Sequence, residues 1–271
     1  MDVDLHIHST SSDGTVRPSG VVRRAVAAGL DLVALTDHDT VAGVAEAMAA
    51  VGSDPVEVVP GIELSSSWRG RDIHILGYFV DPEAPALLRH EERAREGRRG
   101  RLEEMVRRLD SQGMSVPFDD VLAVAGEGAG SLGRPHLARA LVDRGHANSV
   151  PDAFDRLIGD EHPAFVPTEL LSPAEAVDVV RAAGGVSIWA HPPLDLLDQL
   201  LPELRAAGLG GLEVYRPRVS EEKVRRLEAA ARAMGLMVSG GSDWHGPDDG
   251  ELGEFRVSSS EIGALLEAGG L

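Results

Sequence analysis

The chain has 271 residues, 43% of them hydrophobic, and a formal net charge of −18. That length fits one large domain, or one domain with a sizeable insertion, and the acidic balance excludes the broad basic face that long duplex nucleic acid requires. Cysteine is absent, which excludes a disulfide framework and a thiolate metal site, so a transition metal would be held by His, Asp, Glu or water. The acidic start, Met1-Asp2-Val3-Asp4, has no signal-peptide pattern, and no apolar run reaches the roughly 18 residues of a membrane span. The expectation is a soluble cytoplasmic protein with no membrane contact and no obligate protein partner.

Residues 3–8 read as a strand, 19–28 as a helix stopped by Gly29, and 32–36 as a continuous apolar strand of the kind covered on both faces. A short helix over 41–51 precedes a third strand at 56–59, with Pro60-Gly61-Ile62-Glu63-Leu64-Ser65 after it, and a fourth strand spans 72–79. This β-α-β-α order predicts a mainly parallel sheet or barrel. From 81 to 163 the strand signal disappears. A long helix over 86–112 is followed by shorter ones near 118–125, 135–144 and 151–157, with a flexible joint at Gly126-Glu127-Gly128-Ala129-Gly130. The alternation resumes with a capping box, Ser172-Pro173-Ala174-Glu175, opening a helix to 183. Strands at 185–190, 211–215 and 236–239 then alternate with helices at 194–207 and 220–234, and a helix over 259–268 closes the chain. The prediction is about seven strands: an α/β body formed by residues 1–80 and 164–271, and a helical insertion over 81–163.

The chemistry gathers at the strand ends. His6 and His8 stand at i and i+2 on a strand, so both imidazoles face one point. Asp13 follows in a Ser/Asp/Gly turn. His38 lies just past the second strand, Glu63 past the third, and His74 on the fourth; His191 ends a late strand, and Asp243 and His245 end the last. In a parallel barrel all strand C-termini open on one face, where these nine residues would converge. Nine ligands are too many for one ion and suit two or three, a carboxylate bridging a pair. His and carboxylate donors admit Mn, Fe and Zn alike. His90, His146 and His162 fit no strand end and are read as ordinary surface or loop residues, His90 on an exposed helix face.

The motifs Asp4-Leu5-His6-Ile7-His8, Ser12-Asp13-Gly14, Thr36-Asp37-His38, Gly61-Ile62-Glu63, Ile73-His74-Ile75-Leu76-Gly77-Tyr78, Ala190-His191-Pro192 and Gly241-Ser242-Asp243-Trp244-His245 run from one end of the chain to the other. In this order they resemble the PHP (polymerase and histidinol phosphatase) superfamily of metal-dependent phosphoesterases. The resemblance implies a distorted (β/α)7 barrel with two or three divalent ions, manganese foremost. His6, His8, Glu63 and Asp243 would hold one ion. Glu63 would bridge to a second held by His74 and His191, and Asp13, His38 and His245 would hold a third. Gly133-Arg134-Pro135-His136-Leu137-Ala138 and Ala153-Phe154-Asp155-Arg156-Leu157-Ile158-Gly159 resemble the subgroup with a helical insertion, whose activities are removal of the 3′-phosphate from nucleoside 3′,5′-bisphosphates and 5′→3′ trimming of short RNA.

The insertion's own residues fit an anionic substrate. Leu102, Met105, Val106 and Leu109 form a buried stripe at i, i+3, i+4, i+7, and Arg98 stands one turn before Leu102, flanked by Arg99 and Arg101. An arginine aligned with a buried stripe needs an anionic partner, either a substrate phosphate or an acidic side chain of the barrel. Arg134 follows a Gly-rich loop, and the planar guanidinium suits bidentate phosphate contact. Arg98, Arg99, Arg101 and Arg134 are therefore expected to grip a second phosphate, with His136 as a substrate contact or proton donor. The expected reaction is metal-assisted phosphomonoester hydrolysis on a small phosphorylated substrate. The rivals are another phosphoester, such as histidinol phosphate or a cyclic sugar phosphate, and a non-catalytic module merely stabilised by metal.

Overall fold

The computed structural model describes residues 1–126, 129–168 and 170–271. Glu127 and Gly128, at the centre of the expected joint, lie outside the described residues. Eight strands form one sheet: β1 (Asp2–Ile7), β2 (Leu32–Leu35), β3 (Glu57–Trp68), β4 (Arg71–Tyr78), β5 (Val186–Trp189), β6 (Gly211–Tyr215), β7 (Met237–Gly240) and β8 (Val257–Ser258), in spatial order β7-β6-β5-β4-β3-β2-β1-β8. The sheet curls until its ends nearly meet. The segment after β7 returns alongside β1, where His8 N donates to Trp244 O (2.9 Å) and Asp243 N donates to His6 O (2.8 Å). The result is the expected α/β barrel, with the metal-competent ends of β1 and β7 stitched to each other.

Ten helices accompany the strands among the described residues: α1 (Pro18–Ala28), α2 (Val44–Ala50), α3 (Pro85–Ser111), α4 (Phe118–Ala125), α5 (Arg134–Asp143), α6 (Val150–Ala153, running on as a π turn to Ile158), α7 (Pro173–Ala182), α8 (Leu194–Ala207), α9 (Glu221–Met234) and α10 (Gly263–Gly269). The capping box at the start of α7 forms as the sequence predicts: Ser172 Oγ accepts from Glu175 N, and Glu175 Oε2 accepts from Ser172 N.

Three features depart from the sequence reading. The strand count among the described residues is eight, because the two-residue β8 pairs antiparallel with β1 and is too short to show periodicity. The sheet is mixed, since β4 runs antiparallel to both β3 and β5. And β3 does not stop at Val59. It pairs with β2 through Pro60, then carries on through Trp68 against β4, so Glu63 lies inside a strand rather than in a loop. The β3–β4 hairpin turns at Arg69 and Gly70, both with positive φ (53° and 79°), the conformation a two-residue hairpin loop favours.

The interior is divided. The barrel buries Ile62, Leu64, Ile75, Trp189 and Leu212, whereas the insertion closes over a separate core of Leu102, Met105, Leu109, Val121, Leu137, Leu141 and Ile158. Helix α3 belongs to both, for Leu87 near its start packs in the barrel core while its predicted apolar stripe packs in the insertion core.

Where β7 meets β1 the backbones touch. A Cβ built on Gly241 would lie 2.3 Å from His6 Cβ and 2.4 Å from His6 N, a separation that no side chain tolerates. Gly241→Ala must therefore push β1 aside at His6, and overpacking of this kind costs about 1–3 kcal/mol. The expected result is a melting temperature several degrees below that of the parent protein in a thermal scan, together with weaker metal uptake.

Candidate active site

The barrel positions the donors by simple strand geometry. His6 and His8 leave β1 and its end on the same side. Glu63 projects from β3 and His74 from the neighbouring β4, two steps off in register because Ser65 is the residue paired with His74. His191 and Asp243 follow β5 and β7, each with a positive φ (34° and 59°). Such conformations are costly in residues other than glycine and are typical of sites where side-chain placement matters more than backbone comfort.

Three donor groups result, each with its ligand atoms within 4.8 Å of one another: His6, His8, Glu63 and Asp243; His38, Glu63 and His74; and His8, Asp13, His38 and His245. In the first, Glu63 Oε2 lies 3.3 Å from His6 Nε2 and 3.2 Å from His8 Nε2, and Asp243 Oδ1 lies 3.3 Å from each of the same two nitrogens. Those separations are close to the edge of a tetrahedron, about 3.3 Å, built on metal–ligand bonds of about 2.0 Å. Glu63 turns its other oxygen the opposite way, with Oε1 2.9 Å from His74 Nδ1 and 3.1 Å from His191 Nε2. In the third group Asp13 Oδ1 lies 3.4 Å from His245 Nε2. All nine residues expected from the sequence thus face one region. His38 stands between groups, since its Nδ1 is also 3.2 Å from Glu63 Oε2.

The residues fit metal ions. Five buried atoms here, His6 Nε2, His8 Nδ1, His8 Nε2, His38 Nδ1 and Glu63 Oε2, have no hydrogen-bond partner. Unsatisfied buried polar atoms are expensive, and cations would satisfy them together. The electrostatics agree. Burial pushes His6 towards the neutral form, but Glu213, Asp243 and Glu63 outweigh it and hold its pKa well above the usual value. Burial likewise opposes the charged form of His8, yet the carboxylates of Asp243 and Glu63 beside its Nε2 raise its pKa to about 10. Against their own burial, Glu63, Asp13 and Asp243 are held well below the ordinary carboxylate range by the surrounding imidazoles. Three carboxylates kept ionised in a buried pocket invite positive charge.

A supporting layer escaped the sequence reading. His6 Nδ1 meets the fully buried Glu213 Oε1 at 2.7 Å, and His245 Nδ1 meets Asp243 O at 2.9 Å. Each contact leaves the Nε2 lone pair facing the site. Asp37 accepts from Ser9 N, Ser9 Oγ and Ser12 Oγ, all at 2.7 Å, and so fixes the loop that carries Asp13. From the insertion, Arg139 Nη2 donates to Asp13 O (3.0 Å). A carboxylate inside the apolar run Gly211-Leu212-Glu213-Val214-Tyr215 was the available signal for Glu213, because a charge there needs a buried partner.

The structure sorts the expected substrate contacts. Arg98 directs Nε and Nη2 to Asp39, Nη2 also to Ser65 Oγ (2.7 Å), and Nη1 to Leu132 O (3.2 Å). Four of its five donors are engaged within the protein, so its anionic partner is a barrel carboxylate. Arg99 pairs with Glu103 on an exposed flank of α3 and stacks on Phe118, away from the donor groups. Arg101 sends only Nε to a protein acceptor, Val166 O at 2.7 Å, and forms no ion pair among the described residues. Arg134 pairs with Asp160, and Arg101 and Arg134 both lie 5.3 Å from the Phe165 ring centroid. His136 is buried and accepts from Gly133 N (3.0 Å), sealing the start of α5. His90 corrects the sequence reading outright. It is only 7% exposed, because its Nε2 donates to Asp39 Oδ1 (2.9 Å).

A cavity of about 540 Å³ opens between α3, residues 166–168 and 170–171 of the returning chain, and the barrel, lined by Asp39, Ser65, Arg93, Arg98, Arg101 and Leu171 among others. Ser65, on the cavity's lining, stands two residues beyond Glu63 on β3 and directly opposite His74 on β4.

Comparison with known proteins places the chain among phosphoesterases. The PHP domain family matches residues 4–92. A 3′,5′-nucleoside bisphosphate phosphatase of Chromobacterium violaceum is 35% identical over 254 residues, covering 92% of this chain and 89% of that protein. A 5′-3′ exoribonuclease of Haemophilus influenzae is 36% identical over 252 residues, 90% of each. A solved structure from Bifidobacterium adolescentis, provisionally described as a metal-dependent phosphoesterase, superposes with a TM-score of 0.90 at 35% identity, covering 98% of this chain and 96% of that one.

Proposed function

Because the chain belongs to the PHP family of metal-dependent phosphoesterases, we propose that its donor cluster hydrolyses the 3′-phosphate of nucleoside 3′,5′-bisphosphates, with 5′→3′ trimming of short RNA at the same site. In this reading the barrel segments 1–80 and 164–271 carry two or three divalent ions, manganese first, on His6, His8, Asp13, His38, Glu63, His74, His191, Asp243 and His245. The insertion, 81–163, supplies the contacts to the rest of the substrate. A cytoplasmic setting completes the reading; among the described residues no helix is long and apolar enough to cross a membrane.

When bound, such ions activate water and offset charge on phosphoryl oxygens. The protein's own part is to place the substrate. The observation that carries the substrate choice is Arg101, a guanidinium lining the cavity that holds Ser65, the residue paired with His74, and forming no ion pair among the described residues. Burial first, and then the neighbouring charges of Arg134 and Arg98, lower its pKa to about 10. Arg98 and Arg134 are already met by Asp39 and Asp160, so it is Arg101 whose charge at the cavity edge suits an anionic ligand. A substrate with a second phosphate would meet Arg101 and Arg134 while the scissile phosphate lies at the donor cluster, and the apolar side chains of Val166, Pro167, Leu170 and Leu171 would lie beside the nucleoside.

A hydrolysis panel with added Mn²⁺ tests this, using adenosine 3′,5′-bisphosphate, adenosine 3′-monophosphate, histidinol phosphate and short RNA. The bisphosphate is expected to give the highest kcat/KM. A charge-assisted contact is worth about 1.5–3 kcal/mol, so Arg101→Ala should lower kcat/KM roughly 10- to 100-fold on the bisphosphate and far less on the monophosphate. Phosphate release from another member of the panel, with none from the bisphosphate, would overturn the substrate choice.

A further inference from the structure

Glu213, inside β6, and Arg216, just past its end, belong to none of the donor groups described above and touch three of the nine candidate ligands. Glu213 is fully buried. Its Oε1 is 2.7 Å from His6 Nδ1, and its Oε2 accepts from the backbone N of His191 at 2.6 Å. Arg216 Nη2 donates to Asp243 Oδ2 at 2.7 Å, and its Nε lies 3.4 Å from Glu213 Oε2. His191 and Asp243 are the two candidate ligands with positive φ, so the pair braces the two positions where the backbone is least comfortable.

The contacts divide each ligand's atoms between support and metal. With an acceptor fixed at Nδ1, the His6 proton is held there and the Nε2 lone pair is left facing Glu63 and Asp243. With Oδ2 held by Arg216, Asp243 presents Oδ1 to His6 and His8. The hydrogen bond from His191 N fixes the turn that carries the His191 ring to Glu63 Oε1, on the far side of the cluster. One side chain, Glu213, thereby sets the geometry of both halves of a site bridged by Glu63.

We infer that Glu213, seconded by Arg216, is the positioning residue that keeps His6 in its Nδ1–H tautomer and registers the His6 and His191 halves of the metal centre with each other. This rests on the metal-binding reading of the cluster. Glutamine is the discriminating substitution, because it matches glutamate in shape but has one acceptor oxygen instead of two. If that oxygen serves His191 N, the amide NH₂ faces His6 Nδ1, which must then accept, and the His6 proton moves to Nε2, where a metal would bind.

The test is Mn²⁺ binding to metal-free wild type and Glu213→Gln, by calorimetry and by electron paramagnetic resonance of free Mn²⁺, with thermal scans of both metal-free proteins. Loss of an orienting partner of this kind costs about 10- to 100-fold in metal affinity. The expected result is a dissociation constant raised by that factor, with a wild-type KM for substrate once metal is saturating. Equal affinity and stoichiometry in the two proteins would overturn the inference. Failure of the wild type to take up Mn²⁺ would instead overturn the metal reading beneath it. Histidine ¹⁵N spectra of Zn²⁺-loaded wild type provide a measurement independent of the variant's folding. Protonation of His6 at Nδ1 supports the inference, and metal at Nδ1 with the proton at Nε2 sinks it.

Discussion

Replacing Glu63 with glutamine is expected to lower turnover on the order of 10³-fold and to remove at least one equivalent of bound metal. Both of its oxygens are committed, in opposite directions. Oε2 lies within 3.3 Å of nitrogens from His6, His8 and His38, and Oε1 within 3.1 Å of nitrogens from His74 and His191. Glutamine offers one oxygen and one NH₂ group, so one side of the bridge must face a donor where it had an acceptor. The carboxylate's charge is lost as well, from a position only 1% exposed, where a charge counts for far more than in water. Removing a single preorganised electrostatic contact in other enzymes costs about 10²–10³ in kcat, and Glu63 serves two donor groups at once. Metal analysis of the purified variant and kcat with excess Mn²⁺ provide the check. A full metal complement with normal turnover would defeat the bridging role.

The nine candidate donors that the fold brings to one region were legible as candidates in the sequence because their chemistry is local. A histidine or carboxylate on or just past a strand reads as a candidate wherever the strand sits, and the barrel brings these positions together, Glu63 and His74 from within β3 and β4. Helix boundaries inside the insertion were legible for a similar reason: the apolar stripe of α3 and the span of α4 follow from periodicity alone. What failed depended on contacts distant in sequence. Pro60-Gly61 read as a strand terminator, yet Pro60 needs no N–H where it sits, and pairing with β4 carries β3 eight residues further. His90 lies among Glu and Arg residues that suggest a solvated face, and only the docking of α3 on the barrel brings Asp39, 51 residues away, against it. Arg98 illustrates the same limit. Its alignment with a buried stripe showed that it needs an anion, and the fold supplies one in Asp39.

That pairing leads to the largest expected effect on stability. Asp39 is 2% exposed and accepts from His90 Nε2, Ser65 N and Arg98. It joins the loop that carries His38, the edge of β3, and the middle of α3, where the helix passes from the barrel core to the insertion core. Removing one partner of a buried ion pair costs about 3–5 kcal/mol, because the other charge is left uncompensated. Asp39→Ala is therefore expected to lower the melting temperature by roughly 10 °C at neutral pH, given about 2–4 °C per kcal/mol for a chain of this size.

Asp39→Asn separates charge from backbone. Asp39 has a φ of 54°, a conformation asparagine tolerates nearly as well as aspartate, so the loop can be kept while the charge is lost. The sign of the pH dependence follows from the position of the carboxyl. Burial opposes ionisation, but Arg98 and His90 outweigh it and hold the Asp39 pKa below the ordinary value. The stabilisation is then fully present above the unfolded-state pKa of about 4 and declines as pH falls below it towards the folded value. Wild type should lose this contribution in acid, whereas Asp39→Asn lacks it at every pH. The gap in melting temperature between the two should be widest near neutrality and narrow steadily below pH 4. A gap that stays constant from pH 7 to pH 3 would show that the carboxylate's charge is not what holds α3 to the barrel.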